Sequence, residues 1–506
     1  MVFTLSFRRV METVLATVAT AAMFYFGNGL EPWWPLMWFA PLPLLLFALR
    51  SKWWTAAVMA VAVMMLGSLN MWSYFTKTLG MPGSAWVGIF LAAGVVFAAG
   101  VLLFRVLVLR GALWSGVLAL PAVWVTSEYV RNVTSPHGSA GSLAYSQLKF
   151  LPFLQLASIT GPWGMTFVLL LFPAAIAIAL HVRQNSWKRA LQVAGAGVGV
   201  VAAVLLFGAA RLSLPQKQMV KVGLITSGEK LNDTVTDPGV DTERLFRDYA
   251  REAERLATDG AQAIVMPEKL GVTLEGKAAG TDAVMQSVSA EKLATIVAGV
   301  VHVAAPVKYN EARIYVPGSV VQRYDKEHML PPFESNLKPG TTLTVLPRPQ
   351  QRWGVAICKD MDFASPARLY GRAGVGLMLV PGWDFVVDGS WHGHIAVMRG
   401  VEDGFSIARA AKDGFLTVSD NRGRIMGEVS SSSAPFATLL VDVPAAHSWT
   451  VYQLLGDWFA WVAIALLVFA MMQMVRLRDP AHIRDSELVR RLSISQTYHR
   501  LFPVGA

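Results

Sequence analysis

A single cysteine, Cys358, stands in 506 residues. No intramolecular disulfide can form, and a structural zinc site on a cysteine framework is excluded. Charge is nearly as scarce: 15% of residues are charged, against 54% hydrophobic. With a mean hydropathy of +0.44, that balance lies outside the soluble range and implies membrane spans. Acid is the scarcer sign, 34 residues against 44 basic ones, for a net charge of +10. Many of the basic residues sit at the ends of apolar segments. The excess therefore reads as membrane topology and attraction to anionic lipid, and no nucleic acid partner is expected. Histidines are few, and the one close pair, His392-Gly393-His394, has no third ligand near it in sequence. Neither a metal nor a cofactor is expected.

Apolar length is what the chain has in abundance. Runs of spanning length lie near 10–27, 34–50, 53–75, 84–109, 112–130, 163–181 and 190–210, with an eighth from about 451 to 475. The first follows Arg8 and Arg9, as a signal peptide would. It is long, lacks a small-residue cleavage site and runs at once into further spans, so it reads as retained. Tryptophans 33, 34, 38, 53, 54, 72 and 86 suit interfacial belts. Arg8/Arg9, Arg50/Lys52, Arg105/Arg110, Arg183/Lys188/Arg189 and Arg476/Arg478 fall at alternate span ends. Both termini are therefore expected in the cytoplasm, with residues 211–450 on the opposite face, periplasmic or exterior in a bacterium. One unpaired thiol suits such an oxidising place. The expected division is a seven-span membrane domain (1–212) with an extracytoplasmic loop at 131–162, an extracytoplasmic α/β domain (213–447), a closing transmembrane helix (448–478) and a cytoplasmic tail (479–506).

Loop 131–162 is long for a connection between spans. It contains Pro136, Gly138, Gly141, Pro152 and Pro162 around Tyr145-Ser146-Gln147, with Phe150, Leu151 and Phe153. Its apolar content fits a segment lying in the interface or lining a cavity mouth, or one that only packs. From Val220 the composition becomes that of a soluble α/β domain. Strands are expected at Val220–Thr226, Ala263–Glu268, Thr295–Ala304, Gly354–Ile357, Val375–Val380 and Gly414–Ser419. Arg313–Tyr324 reads as a hairpin around Pro317-Gly318, and a further hairpin follows the turn Asn421-Arg422-Gly423. Helices are expected at Thr242–Thr258, Phe363–Arg372 and His392–Arg409; the first spaces Leu245, Tyr249, Ala253 and Leu256 on one face. Strands alternating with helices indicate a layered α/β domain.

Three of these strands deliver chemistry at their ends. Cys358 closes Arg352-Trp353-Gly354-Val355-Ala356-Ile357 and is followed by Lys359, Asp360 and the start of a helix, whose dipole favours thiolate. Ala263-Ile264-Val265-Met266-Pro267 delivers Glu268. Val320-Val321-Gln322-Arg323-Tyr324-Asp325 delivers Lys326, and eight residues later, after Pro331-Pro332-Phe333, comes Glu334. A thiol needs a base to become a nucleophile, and a tetrahedral intermediate needs fixed positive charge at its oxygen. Each residue alone is an ordinary strand-end charge or a small core hydrophobe. All of them in order are not.

That order, Glu then Lys then Cys with the downstream Glu, resembles the nitrilase (carbon–nitrogen hydrolase) superfamily, which implies an α-β-β-α sandwich. The resemblance implies Cys358 as nucleophile, Glu268 as general base, Lys326 as oxyanion stabiliser and Glu334 as a supporting carboxylate. With about eight spans around the domain, the whole chain is similar to the apolipoprotein N-acyltransferase family: a polytopic α-helical bundle joined to an extracytoplasmic nitrilase-like domain. Asp360, Trp383, Arg399, Glu402, Tyr145 and Gln147 fall where the resemblance implies substrate-binding or supporting residues. For Arg399 and Glu402 an ordinary ion pair on a helix face is an equal reading. The sequence departs from the pattern at Lys359, where an aromatic residue is usual, at Pro381-Gly382-Trp383-Asp384, and in the loop Ser227 to Pro238, which has no aromatic residue.

The resemblance implies ping-pong transfer of an acyl chain from a membrane phospholipid to Cys358, then to the α-amine of a diacylglyceryl-cysteine on an apolipoprotein. Ester to thioester to amide runs downhill, so neither ATP nor metal is required. The enzyme is expected to be a monomer whose partners are these two substrates and the surrounding membrane lipids. A membrane-anchored amidase or nitrilase would use the same residues with water as acceptor. A transporter or lipid-binding scaffold with a degenerate domain is the third reading; few charges inside the spans count against it.

Overall fold

The computed structural model describes residues 2–227 and 240–477. Met1, loop residues 228–239, Arg478 and the tail 479–506 lie outside the described residues. The chain opens with helices α1 (Val2–Gly27), α2 (Leu42–Ala48), α3 (Trp53–Gly67), α4 (Gly83–Leu109), α5 (Leu113–Thr134), α6 (Leu151–Leu154), α7 (Ala157–Val182) and α8 (Trp187–Ser213). Among the described residues, six helices are long and apolar enough to cross a membrane: Val10–Gly27, Trp53–Met71, Gly83–Leu109, Ala157–Val182, Trp187–Ser213 and, beyond the sheets, Trp458–Arg476.

Two sequence expectations change here. The run 34–50 is not one continuous span: a 3-10 turn, Trp34–Trp38, ends at Phe39, and α2 begins only after Pro41. Proline starts helices well and cannot continue a hydrogen-bonded one, which separates the two pieces. The run 112–130 does form a helix, α5, of 22 residues, but it carries Glu128 and Arg131. Glu128 is buried and fully engaged: it accepts from Trp124 Nε1 (3.0 Å), Leu143 N (2.8 Å), Ser142 Oγ (2.9 Å) and Thr166 Oγ1 (2.9 Å). A buried carboxylate is tolerable when so paired, and this one ties the segment after α5 back into the bundle. That segment is shorter than 131–162, because α5 continues to Thr134 and α7 starts at Ala157. Gly161, at φ 62°, bends the chain ahead of Pro162. Its missing side chain leaves room for Tyr452, whose ring lies 2.4 Å from where a Cβ would stand.

The domain that follows is built from strands β1 (Met219–Ser227), β2 (Ala263–Val265), β3 (Val272–Leu274), β4 (Thr295–Ala304), β5 (Val307–Tyr315), β6 (Gln322–Asp325), β7 (Thr344–Arg348), β8 (Gln351–Val355), β9 (Leu377–Trp383), β10 (Ser406–Lys412), β11 (Phe415–Ser419), β12 (Ile425–Ser430) and β13 (Phe436–Pro444). Its helices are α9 (Val240–Thr258), α10 (Ala279–Lys292), α11 (Ala364–Arg372) and α12 (Gly389–Asp403); a short α13 (Val451–Leu455) leads into the membrane helix α14 (Trp458–Arg476). One sheet runs β13-β1-β2-β4-β5-β6 with β3 beside β4; the other runs β12-β11-β10-β9-β8-β7.

The period of two along each strand sorts the side chains into layers. Val222, Leu224, Val297, Val355, Leu379 and Ala408 fill the space between the sheets. Ile225, Ile264 and Ile296 face the other way, against Phe246, Tyr249 and Met285 of α9 and α10. Met378, Val380 and Ile407 pack on Tyr370 and Ala396 of α11 and α12. The result is the α-β-β-α sandwich expected from sequence.

Two boundaries differ from the sequence reading. The helix expected over His392–Arg409 stops at Asp403, because Gly404 takes a left-handed cap (φ 77°); Ser406–Lys412 then becomes β10. The expected last hairpin is β11 with β12 around the Asn421 turn, whereas β13 crosses to the other sheet and pairs with β1.

Candidate active site

The carboxyl ends of β2, β6 and β8 bring the chemistry together. β2 ends at Val265 and the chain leaves through Met266-Pro267 to Glu268, which is buried. β6 ends at Asp325, so Lys326 is the next residue; its backbone N–H bonds Asn310 O on β5 (2.8 Å). Lys326 Nζ lies 2.8 Å from Glu268 Oε1 and 2.8 Å from Glu334 Oε2. Asn310, unremarked in sequence, bridges the same two carboxylates: its Nδ2 donates to Glu268 Oε1 (2.5 Å) and Glu334 Oε1 (2.8 Å). Lys269 Nζ adds a contact to Glu334 Oε1 at 2.5 Å.

Burial alone would lower the Lys326 ammonium, but Glu268 and Glu334 more than reverse it and hold it well above its ordinary value. Burial likewise pushes Glu334 up, and the charges of Lys326 and Lys269 overcome it, leaving its carboxyl far below the usual range. Lys326 and Glu334 therefore both stay charged at neutral pH.

Cys358 follows β8 at a sharp corner. Its own φ is +44°, in the region few non-glycine residues occupy, and such strain collects at functional sites. The residues after it, Cys358–Asp362, form a 3-10 turn, and α11 starts only at Ala364. The helix start expected to favour thiolate is therefore displaced from the sulfur. The sulfur is a thiol at rest: burial, and then the Glu268 charge, push Cys358 above its ordinary value, against the pull of Lys326 and Arg409. Cys358 Sγ meets Trp383 O at 3.4 Å and Arg409 Nη2 at 3.9 Å. Arg409 is buried on β10 and forked onto Asp384, Nη1 to Oδ2 at 2.8 Å and Nη2 to Oδ1 at 2.5 Å.

Asp360 does not face the reacting atoms. It fastens two strand ends together, accepting from Ile357 N (3.0 Å) on the cysteine side and from Tyr324 OH (2.8 Å), Glu327 N (3.1 Å) and His328 N (2.8 Å) on the lysine side. Trp383 supplies its carbonyl to Cys358 and stacks its ring under Lys412 Nζ (4.1 Å) and Lys269 Nζ (5.4 Å).

Residues 20–175 match the apolipoprotein N-acyltransferase N-terminal domain, and residues 246–448 match carbon-nitrogen hydrolase. Curated relatives called apolipoprotein N-acyltransferase include one from Geobacter metallireducens, 27% identical over 400 residues (69% of this chain, 72% of the relative). Another, from Bradyrhizobium diazoefficiens, is 27% identical over 454 residues (79% and 80%). A third, from Gloeobacter violaceus, is 23% identical over 519 residues (94% and 96%). The chain belongs to the apolipoprotein N-acyltransferase family.

In this N-acyltransferase family member the remaining sequence candidates lie elsewhere. Arg399 and Glu402, on α12, form a buried ion pair (2.9 Å), and Arg399 Nη2 reaches Tyr145 OH at 3.2 Å. This cluster joins the sandwich to the segment after α5; it is apart from the Glu268–Lys326 pair. Gln147 is buried in the bundle, accepting from Trp38 Nε1 (2.9 Å) and donating to Trp34 O (3.0 Å). His392, read from sequence only as half of a weak metal pair, sits between Asp362 (3.3 Å) and Asp388 (3.4 Å). Asp388 in turn accepts from Tyr74 OH at 2.8 Å, and Lys359 Nζ stands 3.3 Å from His137 Nδ1. A polar chain thus runs from the turn between α3 and α4 and from the segment after α5 into the turn that holds Cys358.

Proposed function

We propose that this chain transfers an acyl group from a membrane phospholipid, through a thioester on Cys358, to the α-amine of a diacylglyceryl-cysteine at a lipoprotein N-terminus. The observation that carries this reading is the buried Glu268–Lys326–Glu334 cluster beside a lone strained cysteine, in a domain tied to an apolar bundle. The names of the relatives support the same substrates. A site that draws both substrates from a bilayer has reason to be fixed to one.

Glu268 takes the Sγ proton as the sulfur attacks the ester carbonyl. The tetrahedral oxyanion is met by Lys326, whose ammonium has three N–H donors, two of them engaged by Glu268 and Glu334. Collapse breaks the ester C–O bond; the leaving glycerol oxygen takes the proton back from Glu268 and departs as lysophospholipid. The lipoprotein amine then attacks the thioester, Glu268 receives its proton, and the C–S bond breaks as Glu268 passes that proton to the sulfur, giving amide and free thiol. Glu334 keeps Lys326 charged and in place. Asp384 and Arg409 carry no proton in this scheme; Arg409 steadies the thiolate as it forms in each step.

The expected topology places both termini in the cytoplasm and residues 213–447 outside, with division at 1–212 and 448–478 and a monomeric state. The deciding experiment is intact-mass spectrometry of the purified protein incubated in phospholipid-containing detergent without acceptor. One acyl mass, lost to neutral hydroxylamine and absent in Cys358→Ala, supports the reading, as does its discharge by a diacylglyceryl lipopeptide. Turnover of small amides or nitriles with no adduct overturns it in favour of a hydrolase.

A further inference from the structure

α4 and α5 touch where Gly100 leaves room for Leu120 and Val123: a Cβ on Gly100 would stand 2.7 Å from Leu120 Cδ1 and 3.5 Å from Val123 Cβ. From that contact toward the C-terminal end of α5 the helices leave a groove of about 500 Å³. That is within the size range of small-molecule sites, roughly 300–1,000 Å³. Val96, Ala99, Val123 and Val130 make its walls apolar, while Thr126 and Arg131 line it with polar groups.

Those two polar groups are under-used. Thr126 Oγ1 and Arg131 Nε have no hydrogen-bond partner. A guanidinium offers five donors; the bond recorded here goes from Nη2 to Gly141 O (3.1 Å). Among the described residues no carboxylate pairs with Arg131. A cation at the mouth of an apolar groove on a membrane helix complements one kind of molecule, an anionic lipid headgroup carrying an acyl chain. Thr126 lies five residues below Arg131, about 7.5 Å along the helix axis, at the depth where the acyl esters of such a lipid follow its phosphate.

The polar end of the groove is linked to the turn that holds the nucleophile. Gly141, braced by Arg131, belongs to the stretch whose Ser139 donates twice to Asp362 O, from N (3.4 Å) and from Oγ (3.0 Å). His137 of the same stretch meets Lys359. Only this short connection separates Arg131 from the Cys358 turn.

We propose that the α4–α5 groove binds one membrane phospholipid, acyl chain against the helix walls and phosphate on Arg131, as the loading site from which the donor passes to Cys358. The loading role rests on the acyltransferase reading; occupancy of the groove does not.

The test uses the full-length protein in phosphatidylethanolamine–phosphatidylglycerol nanodiscs doped with a phospholipid bearing a photoreactive group on one acyl chain. Mass mapping after illumination is expected to place label on α4 and α5 around Ala99 and Val123. Labelling should fall about tenfold in Arg131→Gln, the loss of one charge-assisted hydrogen bond, and in Ala99→Trp, which fills the groove without touching the charge. Leu206→Trp, on the exposed face of α8, should leave it unchanged. Label spread evenly over the outer helices, or unaffected by both groove variants, overturns the site as ordinary lipid contact. Acyl-enzyme formation against donor mole fraction then tests loading. Arg131→Gln and Ala99→Trp should raise the half-saturating fraction about tenfold, more than they lower the rate at saturation; an unchanged half-saturation overturns the loading role. If the wild-type protein forms no acyl-enzyme, it is the acyltransferase reading that fails, and the labelling pattern still decides the groove.

Discussion

Arg409 and Asp384 grip each other through two hydrogen bonds, 2.5 and 2.8 Å, and the same guanidinium stands 3.9 Å from the Cys358 sulfur. The fork fixes the plane of the guanidinium and so fixes where positive charge meets the thiolate. Lysine cannot make that fork. Arg409→Lys is expected to move the Cys358 titration further up and slow its alkylation by iodoacetamide about tenfold at pH 8. Rate against pH, read by intact mass, is the measurement; an unshifted profile removes Arg409 from the site.

Glu268→Gln keeps the shape of the side chain and its contact with Lys326 while removing the base. Acyl-enzyme formation should drop by about 10²–10⁴-fold with the melting temperature little changed. Lys326→Met should behave differently, because it leaves Glu268 and Glu334 buried without their cation. Breaking such a pair costs about 3–5 kcal/mol, so thermal unfolding in detergent should shift sharply downward together with the loss of activity.

Asp360 offers a separate test of architecture. It holds the strand end before Cys358 to the turn after Lys326 by four bonds, from Ile357, Tyr324, Glu327 and His328. Asp360→Ala leaves buried donors unmet, at about 1–3 kcal/mol for each one orphaned. Both the melting temperature and the acylation rate should fall, although Asp360 touches no reacting atom. A variant with normal stability and no activity would assign it a direct role instead.

His392 predicts a pH dependence. Burial alone would lower it, but Asp362 and Asp388 raise it to about 10. Its unfolded value is near 6.5, so the folded protein binds the proton more tightly. The stability it adds is complete below about pH 6.5 and drains away as pH rises through 10. The melting temperature should therefore decline across that window, and His392→Gln should flatten the decline while lowering the curve at pH 6. A wild-type curve flat from pH 6.5 to 10 contradicts the assignment.

Glu268 and Cys358 could be read from sequence because each follows a short apolar run: a strand buried on both faces is a continuous hydrophobic word, and the chemistry-bearing residue after it stands at its end. Lys326 follows a polar strand, Gln322–Asp325, of which only Tyr324 is buried, and was legible only through its order with the other two. Asn310 could not, since it lies inside β5, where nothing local distinguishes a residue aimed at two carboxylates from one packed in a ladder. Arg409 was hidden by the apolar run from His392 onward, which reads as one long helix; a single left-handed glycine, Gly404, converts its second half into β10. The run 34–50 has the hydropathy of a span but carries prolines where the helix would have to continue. Coupling between the bundle and the catalytic turn, through Tyr74, His137 and Ser139, depends on contacts across 200 residues and more, and no periodicity announces those.

The carbonyl of Asp362, four residues past the cysteine, is held by Ser139 from the membrane domain. The corner that aims the sulfur is thus completed by a part of the chain made long before it. Under the proposed topology, a translocated sandwich would stay unfinished until it settled on its own bundle, which would tie the reactivity of the thiol to arrival in the bilayer. By the same logic, a sandwich clipped free by a protease would lose the brace at Asp362 along with its anchor, and shedding from the membrane would switch the enzyme off.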